Sequence, residues 1–188
     1  MTNTRKALLT LAIIGVVGSL TAFGAFAVFS STTSNPGNSI AAGTVSISDN
    51  DGGTAVYNVS NRKPGDFAES CIRVTYTGSL ANTIKLYRSA FSSGTGLDSY
   101  IDLAITKGSG TATDCSDFSG STSVYSGTLN ALGANWAGGV ALTNGASQAS
   151  WSQNDAVTYK VRATLQDNNA AQGLSTGTHS LVFEAQNN

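Results

Sequence analysis

Ser175 lies in the pentapeptide Gly173-Leu-Ser-Thr-Gly177, four residues before His179, the only histidine of the chain. The pattern G-x-S-x-G presents a nucleophilic serine when a strand precedes it and a helix follows, because the sharp turn between them lifts Oγ clear of the backbone. Here the segment joins two strand-like stretches, so it reads as a hairpin loop. A single histidine also excludes the H-E-x-x-H motif, which needs two imidazoles on one helical face to hold zinc. Asp49-Asn-Asp51-Gly-Gly has carboxylates and a tight turn suited to calcium. It lacks the third acidic position and the distal glutamate of an EF-hand loop, and reads as a turn between strands. Asp114 and Asp117 beside Cys115 make no better ligand set. Trp136, Trp151 and the tyrosines are the side chains that stack on sugars, yet one or two aromatics per strand read as core. No catalytic constellation, metal site or cofactor site emerges.

The remaining reactive pair is Cys71 and Cys115, 44 residues apart. That separation has no metal-ligand spacing. In an exported chain an even count favours a disulfide, and two cysteines allow one connectivity. Alternation places Cys71 on the face opposite Ile72, Val74 and Tyr76, off the main core and free to bridge to the polar Thr113-Asp-Cys-Ser-Asp117 loop. Closing a loop of that length stabilises a fold by about 4 kcal/mol in the chain-entropy picture.

Export is argued from the N-terminus. Arg5 and Lys6 precede an uncharged run from Ala7 to Phe29, in which Gly24, Ala25 and Ala27 supply the small residues a signal peptidase reads. The run is long enough to span a bilayer, but no basic stop-transfer cluster follows it, so residues 1–27 are expected to be a signal peptide cut at Ala25-Phe-Ala27. Cleavage would leave 161 of the 188 residues, with eight basic side chains against 11 acidic ones and a formal charge of −3. No basic cluster exceeds Arg62-Lys63, so nucleic acid and anionic lipid are not expected partners, nor is a membrane after processing. With only 11% charged residues and abundant Ser, Thr, Gly, Asn and Ala, the chain reads as a surface protein of strands and turns.

The elements that would position these residues recur after Ser39. Period-two alternation or β-rich composition marks strands over 44–48, 54–59, 72–77, 83–91, 100–107, 123–129, 156–166 and 178–186. Turn clusters such as D-N-D-G-G, K-P-G-D and S-S-G-T-G separate them. Residues 128–136 are the one helical candidate, weakened by Gly133. About eight strands without a long helical pattern predict an all-β chain, a jelly-roll-like β-sandwich over residues 41–188, with residues 28–40 an extended N-terminal segment.

Several short stretches fall in a familiar order. They are Ala27-Val-Phe-Ser, Gly37-Asn38, Ala42-Gly-Thr-Val-Ser-Ile47, Val59-Ser-Asn-Arg-Lys-Pro-Gly-Asp66, Tyr76-Thr-Gly-Ser-Leu80, and Leu181-Val-Phe-Glu-Ala-Gln186 after Asp167. This series resembles the TasA/camelysin family of exported bacterial proteins over about a third of the chain. The resemblance implies a jelly roll and a secreted structural subunit of extracellular matrix or biofilm fibres. Such subunits join head to tail by donor-strand complementation. It therefore implies self as the main partner, other matrix components as further partners, and an extracellular or cell-surface location. Camelysins carry a metallopeptidase label, which the single histidine gives no means to support. Ser31 stands where the family often has Asp, the cysteine pair is not a general family feature, and residues 92–155 match none of its motifs.

Val28 and Phe29 then become the start of the mature protein and the polymerising residues, cargo for a neighbour's sheet. The alternative function is a non-polymerising cell-surface adhesin or glycan-binding module.

Overall fold

The computed structural model describes residues 3–8, 10–12, 39–58 and 60–187. The chain divides into two units, residues 1–41 and 42–188. In the first, residues 3–8 and 10–12 are helical. Among the described residues no helix is long and apolar enough to cross a membrane. The expected signal peptidase site at Ala25 and Ala27, and Val28 and Phe29, lie outside the described residues.

The second unit is all-β. Its strands are β1 (Ile47–Ser48), β2 (Phe67–Tyr76), β3 (Asn82–Arg88), β4 (Ile101–Ser109), β5 (Ser119–Thr128), β6 (Val140–Leu142), β7 (Ala156–Leu165) and β8 (Leu181–Asn187). They form two antiparallel sheets, one in the order β1-β2-β7-β4-β5 and one in the order β6-β3-β8.

Alternation explains how the sheets share a core. Ile72 and Val74 of β2 pair in register with Tyr159 and Val157 on β7, Tyr76 pairs with Ile47 on β1, and Ile72, Val74, Tyr76, Val157 and Tyr159 are all buried. Leu103 and Ile105 extend this surface on β4. Ile84 and Leu86 of β3 and Leu142 of β6 face it from the smaller sheet, with Leu181, Phe183 and Ala185 of β8 packed alongside. Each fully buried side chain of this size contributes about 1.5–3 kcal/mol. Trp151, wholly buried, bridges Asn82 on β3 and donates its indole N–H to the Leu142 carbonyl at 3.3 Å.

Three expectations need correction, and one strand, β6, was not foreseen. Residues 54–58 are not a strand, because consecutive Val56 and Tyr57 both pack on the core, which the two-sided pleat of a strand forbids. Of residues 128–136, Thr128 ends β5 and the rest form turns and bends, not a helix. Leu129 and Leu132 are buried, and Gly133 lies so close to the Gly138 carbonyl that a Cβ would collide with it. The short strand β6 carries no recognisable period. The segment holding Gly173-Leu-Ser-Thr-Gly177 is not a hairpin, since β7 and β8 belong to different sheets and the connection crosses between them.

Candidate assembly site

The sheet edges distinguish this molecule. A strand edge presents unpaired N–H and C=O groups and invites another chain, so folds shorten, bend or cover their edges. β1 has two residues and β6 three. β5 is longer, but it is rich in serine and glycine, and its register against β4 shifts twice. Such irregularities twist an edge away from partners. β8 differs: its seven residues pair with β3 on one side, and on the other no strand among the described residues joins them.

Beside that free edge the sandwich is open. One cavity of about 320 Å³ lies between Val182 and Phe183 of β8, Ile72 and Val74 of β2, and Ile47 of β1. A second, of about 880 Å³, runs from Val56 and Tyr57 past Ile101, Leu129 and Leu165 to Leu181. The floor of both is core side chain, and the wall is the irregular segment between β1 and β2. Tyr57 plugs part of the opening. Its hydroxyl meets Nε2 of His179 at 2.7 Å, and the His179 ring packs edge-on against Phe91, centroids 5.0 Å apart. Burial pushes the Tyr57 phenol above its ordinary pKa. Burial also holds His179 below its ordinary value of 6.5, with the Arg88 charge adding to it and the Gly177 carbonyl and Asp98 opposing it.

The outer edge of β2 is occupied in a different way. Cys71 and Cys115 form a disulfide, the bridge expected from the sequence. Cys71 faces away from Ile72 and Val74 yet is only 2% exposed, because residues 110–118 cover it. This loop leaves β4 and passes over β7, where the Thr158 hydroxyl donates to the Gly110 carbonyl. It then reaches β2, where the Thr113 carbonyl accepts from the Cys71 N–H at 2.8 Å and from Ser70 Oγ at 2.9 Å. Asp117 organises it from within, accepting from the Thr111 N–H, the Thr111 hydroxyl and the Ala112 N–H. These bonds, with that of the Ala112 N–H strongest, lower the Asp117 pKa.

The other candidates do not combine into a site. Ser175 is in a loop whose backbone bonds to Thr95 and Leu97, while the His179 ring nitrogens face Tyr57 and the Gly177 carbonyl. Asp51 caps its own turn by accepting the Gly53 N–H, and Asn50 is held by Thr111 and Arg73, so the D-N-D-G-G segment is a turn. Trp151 is core, while Trp136 lies under the Lys85 ammonium.

Residues 4–92 match the family described as camelysin metallo-endopeptidase. Over that stretch the chain is similar to the TasA/camelysin family. No curated protein matches it. The camelysin match ends before β4, so the disulfide joins Cys71, inside the matched part, to a loop beyond it. The camelysin turns are packing devices. Thr44 accepts from the N–H groups of Ser79 and Leu80 and donates to Ser79 Oγ, and the Tyr76 hydroxyl donates to the carbonyls of Thr44 and Leu80. Gly78 is required there because a Cβ would strike that hydroxyl and the Thr44 carbonyl. The Pro64-Gly65-Asp66 turn closes by Asp66 accepting the Lys63 N–H at 2.9 Å, with Gly65 at φ 84°.

The metal that the family description implies finds no fitting donor set among the described residues. No group of three or more His, Cys, Asp or Glu side chains lies together there. Both cysteines are bonded to each other and the histidine is engaged with Tyr57.

Proposed function

We propose that the processed chain is a secreted structural subunit of extracellular matrix or biofilm fibres, assembling head to tail by donor-strand complementation. The observation that carries this reading is the free outer edge of β8 above two apolar-floored cavities. A double Greek key returns its last strand beside its first. Here the first strand pairs with β2 instead, so the place beside β8 is left for a strand from elsewhere. An extended segment such as residues 28–40 of a second copy fits the need: backbone hydrogen bonds to β8 supply affinity, and Val28 and Phe29 fill pockets. Because the donor and acceptor surfaces differ, the contact is heterologous and propagates into a filament. Similarity to the family over residues 4–92 supports secretion and a place on or outside the cell surface.

The test compares the processed chain with one lacking residues 28–34, by electron microscopy and thermal melting. The expected result is filaments from the first alone and equal melting of both when dispersed. Equal filaments from both chains, or filaments from neither, would exclude donor-strand assembly. Exclusively monomeric sedimentation of the processed chain favours the adhesin alternative.

A further inference from the structure

We infer that the Cys71–Cys115 disulfide is a specificity device for self-association: it pins residues 110–118 as a guard along the outer edge of β2, so that a second copy of this chain can add a strand only at β8. The inference rests on reading the chain as a self-assembling subunit, and it concerns where a partner strand can dock. β2 is a ten-residue strand with Ile72, Val74 and Tyr76 in the core, so its outer edge is a stronger template than those of β1 and β6. That edge is closed point by point. The Cys71 N–H goes to the Thr113 carbonyl at 2.8 Å, and the Arg73 N–H goes to Asn50 Oδ1 at 2.8 Å. Ser48 then pairs with Thr75, and the Thr77 N–H goes to the Ser46 carbonyl.

The guard is one connected piece. Asn50 Nδ2 donates to the Thr111 carbonyl at 2.8 Å, and Arg73 Nη1 donates to the Gly110 carbonyl at 3.1 Å. The loop belongs by sequence to the β4–β5 connection and must cross β7 to reach β2. Few apolar contacts hold it there, since it is polar and mostly exposed. The covalent tie is therefore the element that keeps it over β2. With the tie removed, the outward N–H of Cys71 becomes available, and loss of the Thr111 carbonyl frees Asn50 to release the Arg73 N–H as well, so a partner strand has two edges to choose from.

The experiment uses the processed chain and its Cys71→Ser/Cys115→Ser variant, with amide hydrogen exchange read residue by residue before and after self-association. In the dispersed variant, exchange at position 71 is expected to rise about tenfold, while Ile72 and Val74, bonded to β7, stay slow. On association the wild type should gain protection at 181–187 alone, and the variant at 69–73 as well. Unchanged exchange at position 71, or an associated variant protected only at β8, overturns the guard. Absence of any protection at β8 in the wild type counts against donor-strand assembly instead, so the two failures are distinguishable. Should the variant not fold, the same amides are read in the folded wild type treated with a dithiol, which reduces the bridge to two thiols and is itself oxidised to its disulfide.

Discussion

His179 is the one side chain here whose charge changes in the mildly acidic range, and its surroundings favour the neutral ring. Burial against Tyr57 and Phe91 lowers its pKa below that of an unfolded histidine, so the unfolded chain takes up a proton first on acidification. Stability should therefore be full above pH 6.5 and decline as the pH falls toward the lower folded value. Melting curves between pH 5 and 7.5 are expected to show this slope, and His179→Gln should flatten it. Gly78 gives a second residue-scale prediction. A methyl group there forces the Tyr76 hydroxyl off the Thr44 carbonyl, and Gly78→Ala should cost about 1–3 kcal/mol. Gly145, which has open space around it, is the control: Gly145→Ala should leave the melting temperature nearly unchanged.

Within the loop over β2, one carboxylate adds internal order to the position that the disulfide holds. Asp117 is stabilised in its charged form by the N–H groups of Ala112 and Thr111 and by the Thr111 hydroxyl. Its contribution is present above the unfolded value of 3.8 and is lost as the pH falls through the lower folded value. The guard should thus remain in place at neutral pH and loosen only in strong acid. Asp117→Ala is expected to loosen it at neutral pH, seen as faster exchange of the Thr111 and Ala112 amides while β4, β5 and β7 keep their protection. Equal exchange in the variant and the wild type would show that the disulfide alone orders the loop.

For the whole molecule, the balance lies between a core that holds two sheets together and an open side that, in the proposed assembly, a further strand would complete. Were the chain cut after Ala27 as proposed, Phe29 would be the largest apolar side chain at its start, and burying it in a neighbour would contribute about 2 kcal/mol per junction. Phe29→Ala is expected to raise the concentration needed for filaments about thirtyfold, with no change in the melting of the dispersed domain. A change in melting of the same size as the loss in assembly would mean instead that Phe29 packs within its own subunit. Mass spectrometry of the secreted protein is expected to find Val28 first. Retention of Arg5 and Lys6 would contradict cleavage after Ala27.

The sequence by itself determined which side chains face the core. Period-two spacing in β2, β4 and β7 is a property of the pleat and survives whatever the neighbours are, so Ile72, Val74, Val157, Tyr159 and Val161 were legible as buried. The disulfide was legible for the same kind of reason, since two cysteines permit one pairing. Tertiary structure decided who neighbours whom. Alternation says nothing about whether the first strand lies on β2 or beside β8, because that choice is made by residues far apart in sequence. It also decided that 54–58 turns both Val56 and Tyr57 inward as a plug, despite strand-like composition. The course of residues 110–118 across β7 had no local signal either, since only the finished sheet places Cys71 within reach of Cys115. The candidate assembly site, a free edge with a cavity beside it, consists of such non-local relations, and for that physical reason no motif in the sequence could spell it out.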